Sequence, residues 1–223
     1  MCDAHGHIIA LSSRRSPLGA LKGSISYTLY HVEGELPADF VQVCMELIEE
    51  FRFQELGPAS EEDMHHGWCV IGEMLNTTFT REKLLRSAYL CLGMRVDKWA
   101  LPGALLKALI EERNQKVMEE HQKLRLMKSE KEAIREAVTR ELKHKLLPAA
   151  SMVDMVWNLD EGHVRFWSQS TTRRELFEEL FESTFGVRLV ATSPYVAALH
   201  CGLEDSEIAS LDGVEQSRFT DFG

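Results

Sequence analysis

The chain switches between two hydrophobic rhythms. Ser24 to Val32 alternates, with Ile25, Tyr27 and Leu29 on one side and Ser24, Ser26 and Thr28 on the other, which predicts a half-buried first strand. Pro37 then opens a helix in which Phe40, Val43, Cys44, Leu47 and Phe51 form one apolar stripe. Gly57-Pro58-Ala59-Ser60, followed by Glu61, Glu62 and Asp63, reads as a loop. His65 to Cys69 begins a strand anchored by Trp68. Leu84 to Val96 reads as one long strand, with Tyr89 and Cys91 on one face and Leu90, Leu92, Met94 and Val96 on the other. Two apolar faces predict a central position in a sheet.

From Leu101 to Pro148 the period becomes helical. Leu106, Ile110, Val117 and Leu124 mark a first helix, and Ile134, Val138, Leu142 and Leu146 a second. Ser129-Glu130-Lys131-Glu132 has the form of a capping box, which places the start of the second helix there. Afterwards Met152 to Leu159 and Val164 to Trp167 flank the turn Asp160-Glu161-Gly162 as a hairpin. Thr172-Arg173-Arg174-Glu175 caps a helix with Leu176, Phe177, Leu180 and Phe181 on its stripe and Gly186 as a left-handed end, and Val187 to Ala191 is the last strand.

The order is β-α-β-β, a helical hairpin, then β-β-α-β. It predicts an α+β fold in which two sheet-and-helix halves flank an inserted long helical arm, with the helices on one side of the sheet. The expected divisions are a flexible N-terminal tail (1–23), a first half (24–100), the arm (101–148), a second half (149–194) and an acidic C-terminal tail (195–223).

Composition narrows the function classes. The 223 residues are 44% apolar, enough for a real core, and carry a net charge of −10. The charge is unevenly spread: Lys107 to Lys145 holds 11 Lys/Arg against 8 Asp/Glu, a local +3 in a chain that is −13 elsewhere. A local basic surface inside an acidic shell is therefore compatible with the total. Five scattered cysteines, no signal-peptide core and no apolar run near the ~20 residues of a membrane span predict a reduced cytoplasmic protein with no membrane partner.

Candidate chemistry is sparse. Cys2, His5 and His7 could ligate zinc but have no second cluster at zinc-site spacing, so a loose tail is the reading preferred. His65, His66 and Cys69 could hold a metal or activate a thiol, against which stands plain strand packing around Trp68. No Asp-x-Asp or Asp-x-Glu set sits at a predicted strand end, as a two-metal nuclease would need. Neither Gly-x-Ser-x-Gly nor a phosphate-binding Gly-rich loop occurs. No catalytic residue, metal site or cofactor is assigned.

Gly67-Trp68, Leu101-Pro102, the run Lys131-Glu132-Ala133-Ile134-Arg135-Glu136-Ala137-Val138 on to Leu146-Leu147-Pro148, the turn at Asp160 to Gly162 and the helix-strand pair ending near Pro194 together resemble the RdgC family of bacterial recombination-associated DNA-binding proteins. The likeness spans roughly Ser24 to Pro194, as in a C-terminally shortened member, with Ala149-Ala150-Ser151 where the family usually has Arg, Ala and Phe. The resemblance implies a non-catalytic, nucleoid-associated protein that binds duplex DNA with little sequence preference. It also implies a ring-shaped homodimer that limits access of a RecA-type recombinase, with the hairpin touching its mate. On this reading Leu124, Met127, Leu146, Leu147 and Pro148 are the dimer contacts.

Clamping a duplex without reading bases needs Lys and Arg spaced along one surface. Arg113, Lys116, Lys123, Arg125, Lys128, Lys131 and Arg135 on the arm, with Arg95 on the strand leading in, are the candidates. Glu111, Glu112, Glu119 and Glu120 interleave with them at spacings that would pair them on any solvated helix, and spacing alone favours that plainer reading; the resemblance favours the DNA surface. Two alternatives remain: a dimerisation or adaptor module without DNA affinity, and a metal-dependent nuclease.

Overall fold

A computed structural model describes residues 19–21, 26–60, 62–193, 206, 207 and 210. The readings made for Cys2, His5, His7, Ser24, Ile25, Glu61 and most of both tails fall outside these residues.

Among the described residues seven antiparallel strands form one sheet: β1 (Thr28–Glu33), β2 (Met64–Val70), β3 (Leu85–Arg86), β4 (Tyr89–Lys98), β5 (Ala149–Asn158), β6 (His163–Phe166) and β7 (Arg188–Ala191). Their spatial order is β2-β4-β5-β6-β1-β7, with β3 added at the end of β4. The fold is α+β. The two predicted halves interleave, because β1 of the first lies between β6 and β7 of the second. They share a single core.

That core lies on one face of the sheet. Trp68, Leu90, Leu92, Met94, Val153, Met155, Trp157, Val164 and Phe166 point there and are buried. Two helices cover them: α1 (Phe40–Glu50) with Phe40, Cys44 and Ile48, and α5 (Thr171–Phe185) with Phe177, Leu180, Phe181 and Phe185. Cys44 is thus a packing residue. The Phe166 and Phe177 rings stack with centroids 4.0 Å apart, and Trp157 sits among Phe40, Phe181 and Phe185. Gly186 ends α5 at φ 69°, the left-handed cap expected from sequence.

Several local expectations are corrected. In β1 the core-facing residue is Tyr30, on the side opposite Tyr27 and Leu29: the register with β6 sets Tyr30 opposite Val164 in the core. Its hydroxyl donates to Glu178 Oε1 at 2.9 Å, so a polar-tipped ring can occupy the inner position. The segment from Leu84 is not one strand. A single helical turn, α2 (Arg81–Leu84), leads into β3, and Ser87 at φ 56° turns the chain back into β4. Strand β4 is central, as its two apolar faces predicted, lying between β2 and β5. Helix α5 begins at Thr171 after Ser170, one residue before the predicted cap.

Candidate nucleic-acid interface

The arm is built into the β4–β5 pair. Lys98 opposite Ala149 is the last rung between these strands, and the chain between them runs out through α3 (Gly103–Glu120) and back through α4 (Lys128–Lys145). Pro102 precedes the first helix and Pro148 follows the second, where proline cannot continue a helix. Eighteen residues per helix give an arm of about 27 Å at 1.5 Å per residue.

The seam between the helices is narrow. Val138 and Leu142 of α4 are buried, while Leu106, Ile110, Val117 and Ile134 are half-buried. Leu124 does not continue the α3 stripe. The helix stops at Glu120, Gln122 takes a positive φ of 49°, and Leu124 is fully exposed while Leu126 turns inward to fill the seam. Helix α4 also begins earlier than the Ser129 capping box predicted. Met127 is its cap, and Glu130 rather than Glu132 reaches back, accepting the Met127 N–H at 2.8 Å. Glu130 also pairs with Lys123 across the turn. Lys123 first, and then the Met127 N–H, hold its carboxyl below the usual carboxylate range.

The eight candidate cations divide into two groups. Arg113 Nη2 lies 3.0 Å from Glu141 across the two helices, Lys116 Nζ lies 2.6 Å from Glu112 one turn back, and Lys123 is bound to Glu130. Arg95 is 8% exposed, donates through Nε and Nη2 to Asp97 at 2.9 and 2.7 Å, and lies 4.1 Å over the Phe53 ring. A phosphate could reach Arg95 only by displacing a buried carboxylate, so the structure removes it from an exposed phosphate-binding surface. Arg125, Lys128, Lys131 and Arg135 are exposed and have no ion-pair partner among the described residues. Lys128, Lys131 and Arg135 fall at i, i+3 and i+7, on one side of α4, with Arg125 in the turn above them.

The five expected dimer contacts do not form one patch. Leu124 and Met127 are exposed at the tip, whereas Leu146, Leu147 and Pro148 lie a helix length away at the root, where only Leu147 is strongly exposed. The hairpin geometry separates them, because one pair sits in the turn and the other three follow the returning helix.

The remaining candidate chemistry is dispersed. His65 and His66 point to opposite faces of β2, and His65 Nδ1 lies 2.6 Å from the Gln54 carbonyl. Burial pushes the Cys69 thiol up to about 12, and it donates to the Gly93 carbonyl, so it is a protonated packing group at neutral pH. No group of three or more His, Cys, Asp or Glu among the described residues is placed to hold a metal ion. No described helix is long and apolar enough to cross a membrane.

Sequence reasoning missed two features of the arm: Leu126 as a seam residue and Lys143 as a buried one. An apolar period sees neither, since Leu126 lies in a turn and Lys143 is charged. In comparisons with known proteins, the family model described as "Putative exonuclease, RdgC" matches residues 26–199, more than half of the chain. No curated protein matches it.

Proposed function

The chain belongs to the RdgC family, and on that premise we propose that it binds duplex DNA through backbone charge, independently of sequence. In this reading it acts as a nucleoid-associated homodimeric clamp that limits access of a RecA-type recombinase during recombination or replication. One observation carries the DNA assignment: Arg125, Lys128, Lys131 and Arg135 stand exposed on the arm with no carboxylate partner among the described residues. Of the other four candidates, Arg113, Lys116 and Lys123 are tied up by glutamates and Arg95 by Asp97, so among the eight these four are the charge available for phosphate oxygens.

The test is reversal of all four to Glu. They are exposed, and surface changes of this kind usually alter stability by about half a kcal/mol each or less, so the fold is expected to persist. Duplex binding is expected to be lost at low salt; unchanged binding by the folded variant would take the arm out of the interface. The same preparations, incubated with labelled duplex and magnesium or manganese, are expected to leave its length unaltered. Metal-dependent shortening would replace the clamp with a nuclease.

A second reading, an adaptor without DNA affinity, is favoured by Leu124 and Met127 standing exposed at the tip. Absence of binding to random-sequence duplex at low salt, together with a stable dimer, would select it.

A further inference from the structure

The arm leaves and rejoins the body at two adjacent strand ends, and its helices pack chiefly on one another. Something else must set the direction in which it points. Lys143, in the last turn of α4, is only 7% exposed although it is charged. Its ammonium lies 3.1 Å from Asp63 Oδ1 and 5.7 Å from the centre of the Trp99 ring. Asp63 and Trp99 are themselves pinned together, because the Trp99 N–H donates to the Asp63 carbonyl at 2.9 Å, just beyond the rung that pairs Met64 with Lys98. One side of this contact is therefore the rigid end of the sheet, and the other is the arm.

Around the contact the arm stands off from the body. A hollow of about 660 Å³ separates Arg135, Thr139 and Arg140 from the loop Pro58–Ser60. Another, of about 440 Å³, opens beside Leu56, Trp99 and Leu147. Lys143 lines both, as the bridge between them. A buried ammonium is tolerated only while it is paired. Among the described residues Asp63 is the carboxylate within ion-pair reach, so without it the side chain is driven outward to water, and the last turn of α4 goes with it.

We propose that Lys143 is a positioning residue that, through Asp63 and Trp99, fixes the direction of the arm relative to the sheet, and that undoing this latch lets the arm swing as one body. The inference concerns the arm itself and stands whether or not the protein binds DNA.

Pulsed dipolar spectroscopy on the full chain tests it. Spin labels are placed on cysteines introduced at the exposed positions Glu120, near the tip, and Ser183, on α5. Cys2 and Cys201 are replaced by Ser, the buried Cys44, Cys69 and Cys91 are kept, and labelled chains are diluted into unlabelled ones so that only distances within a chain are read. A single narrow distance distribution is expected in the parent and in Asp63→Glu. A broadened distribution is expected in Asp63→Asn and in Lys143→Met, with the thermal midpoint of the sheet core shifted by no more than a few degrees. A distribution that stays narrow in folded Asp63→Asn would overturn the proposal, as would lowered stability without broadening. Should Lys143→Met fail to fold, Asp63→Asn decides alone, since its side chain is 81% exposed.

Discussion

Single residues show how little freedom the core leaves. A Cβ on Gly67 would meet the Phe53 Cα at 2.7 Å, a backbone atom that cannot step aside, which is why glycine precedes Trp68 here. Phe177 stacks on Phe166 and also meets Tyr30, Trp68 and Phe181, with no exposed surface. Phe177→Ala is expected to lower unfolding stability by about 3–5 kcal/mol, read from urea titrations. On the opposite face Asp154 is 3% exposed, accepts the Ala20 N–H at 2.8 Å, and has its carboxyl pushed up by burial from the ordinary 3.8. The folded state therefore holds this proton more tightly than the unfolded chain. The charged form carries a penalty above the raised pKa, and the penalty disappears as pH falls through it towards 3.8. Asp154→Asn is expected to resist urea better than the parent at pH 7, with the gap closing in acid; a gap that widens in acid would contradict this.

Among the elements, the turn of the arm is held by one side chain outside the apolar seam. Glu130 caps α4 through the Met127 N–H and closes the turn through Lys123. Glu130→Ala is expected to speed amide exchange across residues 121–131 while leaving the sheet unchanged, as hydrogen exchange would show. Because its carboxyl is held low, the support Glu130 gives is present at neutral pH and is lost as pH falls through that lowered pKa. The two helices were legible from their apolar period, as were α1, α5 and the hairpin at Gly162. What the period could not register was the chain leaving it: Ser87 breaks a run that stays apolar on both sides, and Gln122 moves the seam from Leu124 to Leu126. Tyr30 escaped because its inward side depends on the β6 register and on Glu178, over 130 residues away in sequence.

At the scale of the molecule, one acidic chain combines an open antiparallel sheet with a projecting basic arm. Interleaving the halves makes β1 a partner of both β6 and β7, a long-range arrangement that local patterns do not encode. The candidate DNA surface was legible as a list of cations but not as a set of available ones, because pairing is a matter of geometry: Arg95, Arg113, Lys116 and Lys123 meet carboxylates, whereas Arg125, Lys128, Lys131 and Arg135 meet none among the described residues. The measurement that bears most directly on the central claim is the salt dependence of binding to duplexes of unrelated sequence. The expected result is a common affinity whose logarithm falls linearly with the logarithm of salt, by about 0.9 for each phosphate neutralised, and a slope about one unit shallower for each of the four cations removed. A flat salt response, or a slope indifferent to their removal, would contradict it.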